Sequence, residues 1–317
     1  MITPPSTPQN RQPPSRQPPR PNFLIVGAAR AGTTSLHAWL SGHPQVFLPT
    51  DKEPSYFVHD YGLRLLDDYL SLFAPAGAAR AIGEASAAYL AAPESPMWIR
   101  DALGPVRIIM VLRDPAKRAA SLYAWMAMNG YESLPTFEAA LQAEDARAGD
   151  PDFAAAAPQY VWDYYYFRSG LYAQQVRRYL AAFGAENVLP IRFDDLAQQP
   201  EAVYERVCTF LGIDAGYVPA LEAHNAGRLP RSVPLQCRLR QARDSARLAL
   251  PGAVEPMRRL MQFNLTLGRR PQVHPDTLAA LTQRYCHDIT ELSQLLKWDL
   301  RSWQSSPTSP VACARAA

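Results

Sequence analysis

The chain of 317 residues is long enough for one large α/β domain or two small ones. Its composition, with 48% hydrophobic and 19% charged residues, is that of a globular protein, and a net charge of +3 is too small to indicate nucleic acid as a partner. The longest apolar runs, such as IIMVL at 108–112, are far too short to cross a bilayer, so the sequence predicts no integral membrane segment.

The two ends of the chain are poor in residues that build a core. The first 21 residues contain eight prolines and no apolar run like that of a signal peptide, which is typical of an extended, disordered leader. The last stretch, SSPTSPVACARAA, is also predicted to be a disordered tail. We therefore place a single folded domain at 21–304, between a leader at 1–20 and a tail at 305–317.

The cysteines suggest neither a metal site nor a disulfide framework. Cys208, Cys237, Cys286 and Cys313 lie far apart in the sequence and fit no metal-binding spacing. A disulfide framework is unusual in a chain of this length. We therefore predict reduced cysteines and no metal ion.

Short apolar runs along the domain are predicted to be strands. Their apolarity is continuous rather than alternating, which is typical of strands buried on both faces of a parallel sheet. The runs are FLIVG (23–27), QVFL (45–48), RAIGE (80–84), RIIMVL (107–112) and NVLPIRF (187–193).

Helical patterns lie between and after these strands. Apolar residues recur with helical spacing at 33–41, 169–183, 200–211 and 275–296. Another helix is predicted to begin with Asp114 as its N-cap and Pro115 as its first residue. The alternation predicts the α/β class, with an open, doubly wound, mainly parallel sheet of about five strands flanked by helices.

The stretch 130–167 allows two interpretations. It contains an alanine-rich and acidic part, followed by the aromatic cluster YVWDYYYF. The first interpretation is a surface helix followed by aromatic residues of the core. The second is a cap beside a ligand cleft, in which Tyr160, Trp162 and Tyr164 form a wall that binds a substrate.

GAARAGTTSL, at 27–36, follows the first predicted strand and opens the first predicted helix. Its two glycines have the spacing of a phosphate-binding loop and let the backbone approach a phosphate closely. The N–H groups at the helix start add donors and a positive dipole. The residues predicted to bind an anion are Arg30, Ala31, Gly32, Thr33, Thr34 and Ser35. The alternative, a tight turn with a threonine N-cap, does not account for the glycines, the cation and the hydroxyls together.

Thr33 stands where the loop of a nucleoside triphosphatase carries a lysine. That lysine and a magnesium ion together neutralise much of the negative charge of a triphosphate. The magnesium ion also needs an acidic residue after a second strand, whereas the strand at 107–112 is followed by Arg113. Asp114 is the alternative metal ligand, but it is better placed as a helix cap. The loop therefore favours a phosphate-bearing ligand that is bound without metal.

LRDPAKRAAS, at 112–121, predicts a second anion site. Arg113 follows a strand, at the edge where open α/β sheets bind ligands. Ser121 lies about two turns into the next helix, on roughly the same face as Lys117 and Arg118. We predict that Arg113 and Ser121 contact an anion and that Lys117 is exposed to solvent. For Arg118, a solvated surface and the anion site both stay open.

Together these blocks resemble the sulfotransferases that use 3′-phosphoadenosine 5′-phosphosulfate (PAPS). The branch that they resemble contains heparan sulfate sulfotransferase domains and bacterial carbohydrate sulfotransferases. The likeness runs in order from about residue 22 to about residue 232. It comprises GAARAGTTSL, KEPSYF (52–57), LRDPAKRAAS, SGLYAQQVRRYLAAFGAENVLPIRFDDLAQQP (169–200) and FLGI (210–213). The resemblance implies a nucleotide-binding fold of the P-loop type, in a single sulfotransferase domain.

The resemblance also implies which residues bind PAPS. The loop at 27–36 would bind the 5′-phosphosulfate, with Arg30 where the family often has lysine. Arg113 and Ser121 would bind the 3′-phosphate, which ATP lacks. The block HNAGRLPRS, at 224–232, resembles the basic loop that closes over the nucleotide. The residues implied there are Arg228, Arg231 and Ser232.

The implied chemistry is in-line transfer of the sulfonate to a hydroxyl or amine of an acceptor. Glu53 matches the general base of the heparan branch and would take the proton of the acceptor. Arg30, Thr33 and the N–H groups of the loop would stabilise the charge that grows on the 5′-phosphate. Lys52 would bind the acceptor or the sulfonate. Its alternative is a surface lysine, because neighbours on an extended segment point in opposite directions.

Three histidines are compared with Glu53, because other sulfotransferase branches use a histidine base. His59 lies six residues after Glu53 and is the alternative base. His37 lies inside a predicted helix and His43 precedes a proline, so both are predicted to be structural.

The sequence thus predicts a PAPS-dependent sulfotransferase with a carbohydrate, glycolipid or small-metabolite acceptor. Two alternatives stay open: a P-loop kinase or hydrolase that uses ATP and magnesium, and a non-catalytic scaffold on the same fold. Relatives in secretory compartments usually carry a membrane anchor and none is visible here, so we expect a cytoplasmic protein. The sequence does not predict the oligomeric state or the choice between O- and N-sulfation.

Overall fold

The computed structural model of the protein describes residues 18–59, 61–217, 219, 229–249, 251–266 and 273–305. The predicted leader up to residue 17 and the predicted tail from residue 306 lie outside the described residues, as does Arg228. The predicted boundaries of the domain at 21 and 304 therefore stay predictions.

A parallel sheet of five strands forms the centre of the fold. Its strands are β1 (Phe23–Gly27), β2 (Val46–Phe47), β3 (Ala81–Ala85), β4 (Arg107–Leu112) and β5 (Val188–Arg192). They lie in the order β2-β3-β1-β4-β5, and every residue of β1 and β3 is buried. Burial on both faces explains their continuous apolarity. The predicted α/β class and all five predicted strands are confirmed.

Helices cover both faces of the sheet. They are α1 (Thr33–Ser41), α2 (Leu66–Ser71), α3 (Ser95–Leu103), α4 (Pro115–Met128), α5 (Phe137–Gln142), α6 (Glu144–Ala148), α7 (Pro151–Ala156), α8 (Tyr172–Phe183), α9 (Phe193–Gln198), α10 (Pro200–Leu211), α11 (Val233–Ala249), α12 (Val254–Asn264), α13 (Pro275–Leu296) and α14 (Arg301–Gln304). The bounds of α1, α10 and α13 are those predicted. Helix α8 begins three residues later than predicted, because the chain forms a short 3-10 helix at Arg168–Gly170 first.

The order of the strands brings the two predicted anion sites together. Strand β1 lies between β3 and β4, and Ile25 of β1 pairs in parallel with Ile109 of β4. The loop after β1 and Arg113 after β4 therefore leave the same edge of the sheet, side by side. This is the carboxyl edge at which open α/β sheets bind ligands.

The stretch 130–167 contains no long surface helix. It forms the short helices α5, α6 and α7 and then a 3-10 turn at Val161–Tyr164. Glu132 in this stretch is fully buried and accepts two hydrogen bonds of 2.8 Å from Arg147 and one of 2.8 Å from the hydroxyl of Tyr166. The aromatic side chains at 164–166 are buried, which confirms core packing for them.

Helices α11 and α12 are absent from the sequence prediction. They pack against each other, and a two-stranded antiparallel sheet of β6 (Leu229–Pro230) and β7 (Leu265–Thr266) joins their ends. Helix α11 attaches to α4 through polar contacts: Gln236 donates to the carbonyl of Met128 over 2.9 Å, and Arg240 donates to that of Gly130 over 2.8 Å. Because the buried positions of α11 include the polar Gln236 and Arg240 besides Val233 and Cys237, its sequence lacks a clear apolar stripe.

The cysteine prediction is only partly confirmed. Cys208 and Cys237 are free and buried, as predicted. Cys286 is disulfide-bonded, so the prediction was wrong for that residue.

No helix in the described part of the chain is long and apolar enough to cross a membrane.

Candidate functional site

The loop between β1 and α1 presents backbone N–H groups at the end of a helix. Arg30 and Gly32 both have left-handed backbone, with φ of 66° and 98°. The first bond of α1 runs from the N–H of Leu36 to the carbonyl of Gly32 over 3.2 Å, so earlier N–H groups have no acceptor within the helix. Successive N–H groups in such a turn form an anion-binding concavity at the positive end of the dipole.

Gly32 is the residue that allows this loop to pack. A Cβ atom at this position would lie 2.7 Å from the side chain of Leu196 and 3.2 Å from that of Phe193. The positive φ also favours glycine. Ala31 and Thr33 on either side are buried, so the loop is held firmly between the sheet and α9.

One arginine lies within the loop and another lies beside it, and each forms hydrogen bonds with its surroundings. Arg113 Nη1 donates to the carbonyl of Arg30 over 3.1 Å, and its guanidinium lies 4.6 Å from the ring centre of Phe193. Arg30 Nε makes a long hydrogen bond of 3.4 Å to Ser121 Oγ. The structure thus brings Arg30, Arg113 and Ser121 together, as the two motifs predict.

No carboxylate in the described part of the chain makes an ion pair with these two arginines. Burial lowers the pKa of Arg30, and the charge of Arg113 lowers it further; burial also lowers the pKa of Arg113. Two desolvated guanidinium groups that repel each other favour a bound anion between them.

The start of α4 settles the alternatives left open for its residues. Asp114 caps the helix by accepting from the N–H groups of Ala116 over 3.0 Å and Lys117 over 3.2 Å, as predicted. Lys117 is 58% exposed, also as predicted. Arg118 is only 1% exposed, so it does not lie on a solvated surface. It donates to the carbonyl of Tyr166 over 2.8 Å and to Ser169 Oγ over 3.1 Å.

Glu53 and Lys52 lie on the segment after β2 and contact each other. Lys52 Nζ donates to Glu53 Oε1, and Glu53 Oε2 accepts from the N–H of Ala87 over 2.7 Å. The expectation that the two side chains point in opposite directions was wrong. Glu53 and Ser55 have left-handed φ of 66° and 51°, so the segment is not extended. Such strained backbone in non-glycine residues is typical of functional sites.

The three histidines have different surroundings. His43 is buried, its Nε2 bonds to the carbonyl of Asp214 over 2.8 Å and its Nδ1 accepts from the N–H of Gln45 over 3.0 Å, which confirms a structural role. Burial and then the charge of Lys52 lower the pKa of His37 to about 4. His59 is exposed, with its ring centre 6.3 Å from that of Trp98.

Sequence reasoning missed a buried carboxylate that holds the segment after Glu53. Glu84 in β3 is 1% exposed and accepts from Ser86 Oγ over 2.8 Å and from the hydroxyl of Tyr69 over 3.4 Å. Ser86 Oγ in turn accepts from the N–H of Ser55 over 3.0 Å. A single glutamate at the end of an apolar strand was the only signal in the sequence.

We expect Glu84 to make the stability depend on pH. Burial raises the pKa of Glu84 from 4.5 to about 8. A carboxyl group that binds its proton more tightly in the folded state stabilises the fold fully below pH 4.5, and this contribution is lost as the pH rises towards 8. The expected slope within this window is about 1.4 kcal/mol per pH unit.

Urea unfolding at several pH values between 4.5 and 8 measures this loss. Glu84→Gln keeps an uncharged polar side chain and should have a flatter profile than the unsubstituted protein. Glu201→Gln on the exposed face of α10 is the matched control and should not change the profile. Parallel profiles for Glu84→Gln and the unsubstituted protein would refute this role of Glu84.

A cleft lies next to the loop and the Glu53 segment. Its walls comprise Ala28, Ala29, Ala87, Ala88, Leu90, Ala91, Arg118, Tyr160, Trp162, Asp163, Ser169 and Gln175. Tyr160 and Trp162 thus lie in the wall of a cleft, and their binding of a substrate stays a prediction. Tyr164 is 2% exposed and its hydroxyl donates to the carbonyl of Tyr131 over 3.2 Å, which places it in the core rather than in the cleft wall.

The comparison with protein families shows which family the chain belongs to. The family described as "Sulfotransferase domain" matches residues 20–225, which is well over half of the chain. The chain belongs to the sulfotransferase domain family. The matched range contains every site residue described so far in this section and ends before β6.

Curated sulfotransferases and one solved structure are similar to this sulfotransferase-family chain. Human heparan sulfate glucosamine 3-O-sulfotransferase 6 is 30% identical over 193 residues, which are 61% of this chain and 52% of the relative. The mouse bifunctional heparan sulfate N-deacetylase/N-sulfotransferase 4 is 27% identical over 62% of this chain and 23% of the relative. The chain therefore spans about half or less of these curated relatives.

A sulfotransferase structure from Alicyclobacillus acidocaldarius matches more of the chain. It is 29% identical, with a TM-score of 0.69, and the match covers 90% of this chain and all of the other. The likeness therefore extends over the whole fold and not only over the nucleotide loop.

The remaining residues of the predicted basic loop lie outside the family match. Arg231 is exposed and its guanidinium lies 5.4 Å from the ring centre of Phe263. Ser232 Oγ accepts from the N–H of Leu235 over 3.4 Å at the start of α11. No hydrogen bond or ion pair between described residues joins either one to Arg30 or Arg113, so a role in PAPS binding stays a prediction, as it does for Arg228.

Proposed function

We propose that the protein is a sulfotransferase that transfers the sulfonate of PAPS to a hydroxyl or amine of an acceptor. One observation carries the proposal: the guanidinium groups of Arg30 and Arg113 are desolvated and form no ion pair with a carboxylate in the described ranges, next to the N–H groups that begin α1. A ligand with two separate anionic groups fits this arrangement.

The residues present fit PAPS better than a nucleoside triphosphate. The N–H groups before α1, with Thr33 and Thr34, would hold the 5′-phosphosulfate, and Arg113 with Ser121 would hold the 3′-phosphate. Bound PAPS supplies an activated sulfonate, whose transfer leaves a phosphate oxygen as the leaving group.

Glu53 is the proposed general base. The N–H of Ala87 and the ammonium of Lys52 fix its two carboxylate oxygens, and Ala87 lies in the cleft wall. A positioned carboxylate accepts the proton that the acceptor hydroxyl loses as its oxygen forms the new bond to sulfur. Lys52 is then a positioning residue for Glu53. Arg30 and the loop would stabilise the charge that develops on the leaving phosphate.

The acceptor is proposed only by class: a carbohydrate, a glycolipid or a small hydroxylated metabolite. The similar curated proteins are named for heparan sulfate, but a shared fold does not fix the acceptor. A cytoplasmic location likewise stays a prediction.

Thermal unfolding with and without nucleotide tests the donor. We expect 3′-phosphoadenosine 5′-phosphate (PAP) to raise the melting temperature, because a ligand at 100 times its Kd adds about 2.7 kcal/mol of stability. ATP with magnesium should have a much smaller effect at the same concentration. Stabilisation by ATP with magnesium alone would support a kinase or hydrolase, and no response to either nucleotide would support a scaffold.

A further inference from the structure

The cleft beside Glu53 is small and largely apolar. Its surface is formed largely by alanines, together with Leu90, Tyr160 and Trp162. These apolar side chains would pack against the apolar faces of a ligand.

Asp163 is the unexplained charge in this cleft. It lies in the 3-10 turn Val161–Tyr164 and is half-buried, so its carboxylate is accessible from the cleft. Its carboxylate forms no hydrogen bond or ion pair with any residue that the structure describes. A carboxylate in apolar surroundings without a donor is costly, so a ligand that donates to it is favoured.

No described cation near Asp163 forms an ion pair with its carboxylate. Arg118 is the one cation among the described residues of the cleft wall, and its Nη2 already donates to Tyr166 and Ser169. Lys52 is paired with Glu53. Burial and then the charge of Glu53 raise the pKa of Asp163 to about 7, while the charges of Arg118 and Arg30 lower it.

Three other polar residues of the cleft wall have an atom without a hydrogen-bond partner among the described residues. These atoms are Arg118 Nε, Tyr160 Oη and Gln175 Oε1, and all three residues are at least nine-tenths buried. Buried polar atoms are almost always paired in folded proteins. A ligand with several hydroxyl groups has both the donors and the acceptors that these atoms lack.

We propose that Asp163 binds the acceptor by accepting a hydrogen bond from one of its hydroxyl groups, so that the cleft selects an uncharged, hydroxylated acceptor over an anionic one. This inference rests on the proposed function, because it concerns the acceptor of the same reaction. An acceptor with a carboxylate or sulfate on the ring would bring a third negative charge beside Asp163 and Glu53. Like charges in a partly desolvated site repel strongly.

A matched pair of acceptors tests this selectivity. The 4-nitrophenyl glucoside and the 4-nitrophenyl glucuronide differ only in a hydroxymethyl group against a carboxylate. We expect kcat/KM with PAPS to be about 10-fold or more higher for the glucoside, the effect of a single unfavourable charge. A simple phenol as a third acceptor distinguishes a sugar ring from an aromatic ring.

Asp163→Asn tests the residue itself. We expect it to raise the KM for the glucoside by about 10-fold or more, the usual loss for a hydrogen bond to a charged group. The preference for the glucoside over the glucuronide should shrink in the same variant. The affinity for PAP should not change. Asp152→Asn, on the exposed surface of α7, is the matched control and should leave all three quantities unchanged.

The possible failures are distinguishable. A preference of the unsubstituted enzyme for the glucuronide, or an unchanged KM and preference in a folded Asp163→Asn variant, would overturn the role of Asp163. An enzyme that binds PAP but sulfates none of the three ring acceptors would overturn the acceptor class alone. An enzyme that does not bind PAP would overturn the proposed function itself.

Discussion

Glu53→Gln should lower kcat about 10²- to 10⁴-fold, the usual contribution of a positioned general base. The amide cannot accept the proton that the acceptor hydroxyl loses, so the chemical step slows while binding is preserved. The affinity for PAP and the KM for the acceptor should therefore change little. Steady-state kinetics with PAPS and a sulfated acceptor, together with calorimetric binding of PAP, measure these quantities separately.

The structure predicts that this variant stays folded. The amide oxygen of glutamine can still accept from the N–H of Ala87, which now binds Glu53 Oε2 over 2.7 Å. The ion pair with Lys52 is lost, but Glu53 is 39% exposed and exposed pairs contribute at most about 1 kcal/mol. An unchanged melting temperature in Glu53→Gln would therefore exclude a structural cause for lost activity.

His59→Ala is the informative comparison, because His59 is the alternative base on the same segment. We expect this variant to keep nearly full turnover, since the hydrogen bond of 2.9 Å to Glu94 comes from the backbone N–H, which alanine keeps. Nearly full turnover in Glu53→Gln combined with a large loss in His59→Ala would reassign the base to His59.

Much of the fold follows from local patterns in the sequence. The five strands are continuously apolar because the parallel sheet buries both of their faces. That pattern can be recognised in the sequence without the structure. Asp114 followed by Pro115 marks the start of α4, and Gly212 after Leu211 marks the end of α10, because caps depend on local geometry.

The site is only partly visible in the sequence, because its geometry depends on contacts between distant segments. The ion pair of Lys52 with Glu53 forms where Glu53 has left-handed backbone, and no residue pattern in the sequence predicts that conformation. The sequence allows Arg118 to lie on the surface of α4. In the structure the segment at 166–169 covers its side chain. Asp163 is a single acid in an aromatic cluster, and only the packing of that cluster beside the loop places it in the cleft.

Arg113→Ala should weaken PAP binding about 10- to 100-fold, the usual cost of losing hydrogen bonds between charged groups. If Arg113 binds the 3′-phosphate, the loss must depend on that phosphate. Adenosine 5′-monophosphate lacks it, so its weaker affinity should fall far less in the same variant. Arg30→Ala, in contrast, should weaken both nucleotides, because Arg30 is proposed to act on the 5′ side.

This comparison of two ligands in two proteins separates the phosphate contact from a general disturbance of the loop. Arg113 also donates to the carbonyl of Arg30, so its removal alone could loosen the loop and weaken both nucleotides equally. Lys117→Ala on the same helix is the control, since Lys117 is 58% exposed and pairs with Asp114. Equal losses for PAP and adenosine 5′-monophosphate in Arg113→Ala would mean that Arg113 supports the loop and that the 3′-phosphate binds elsewhere.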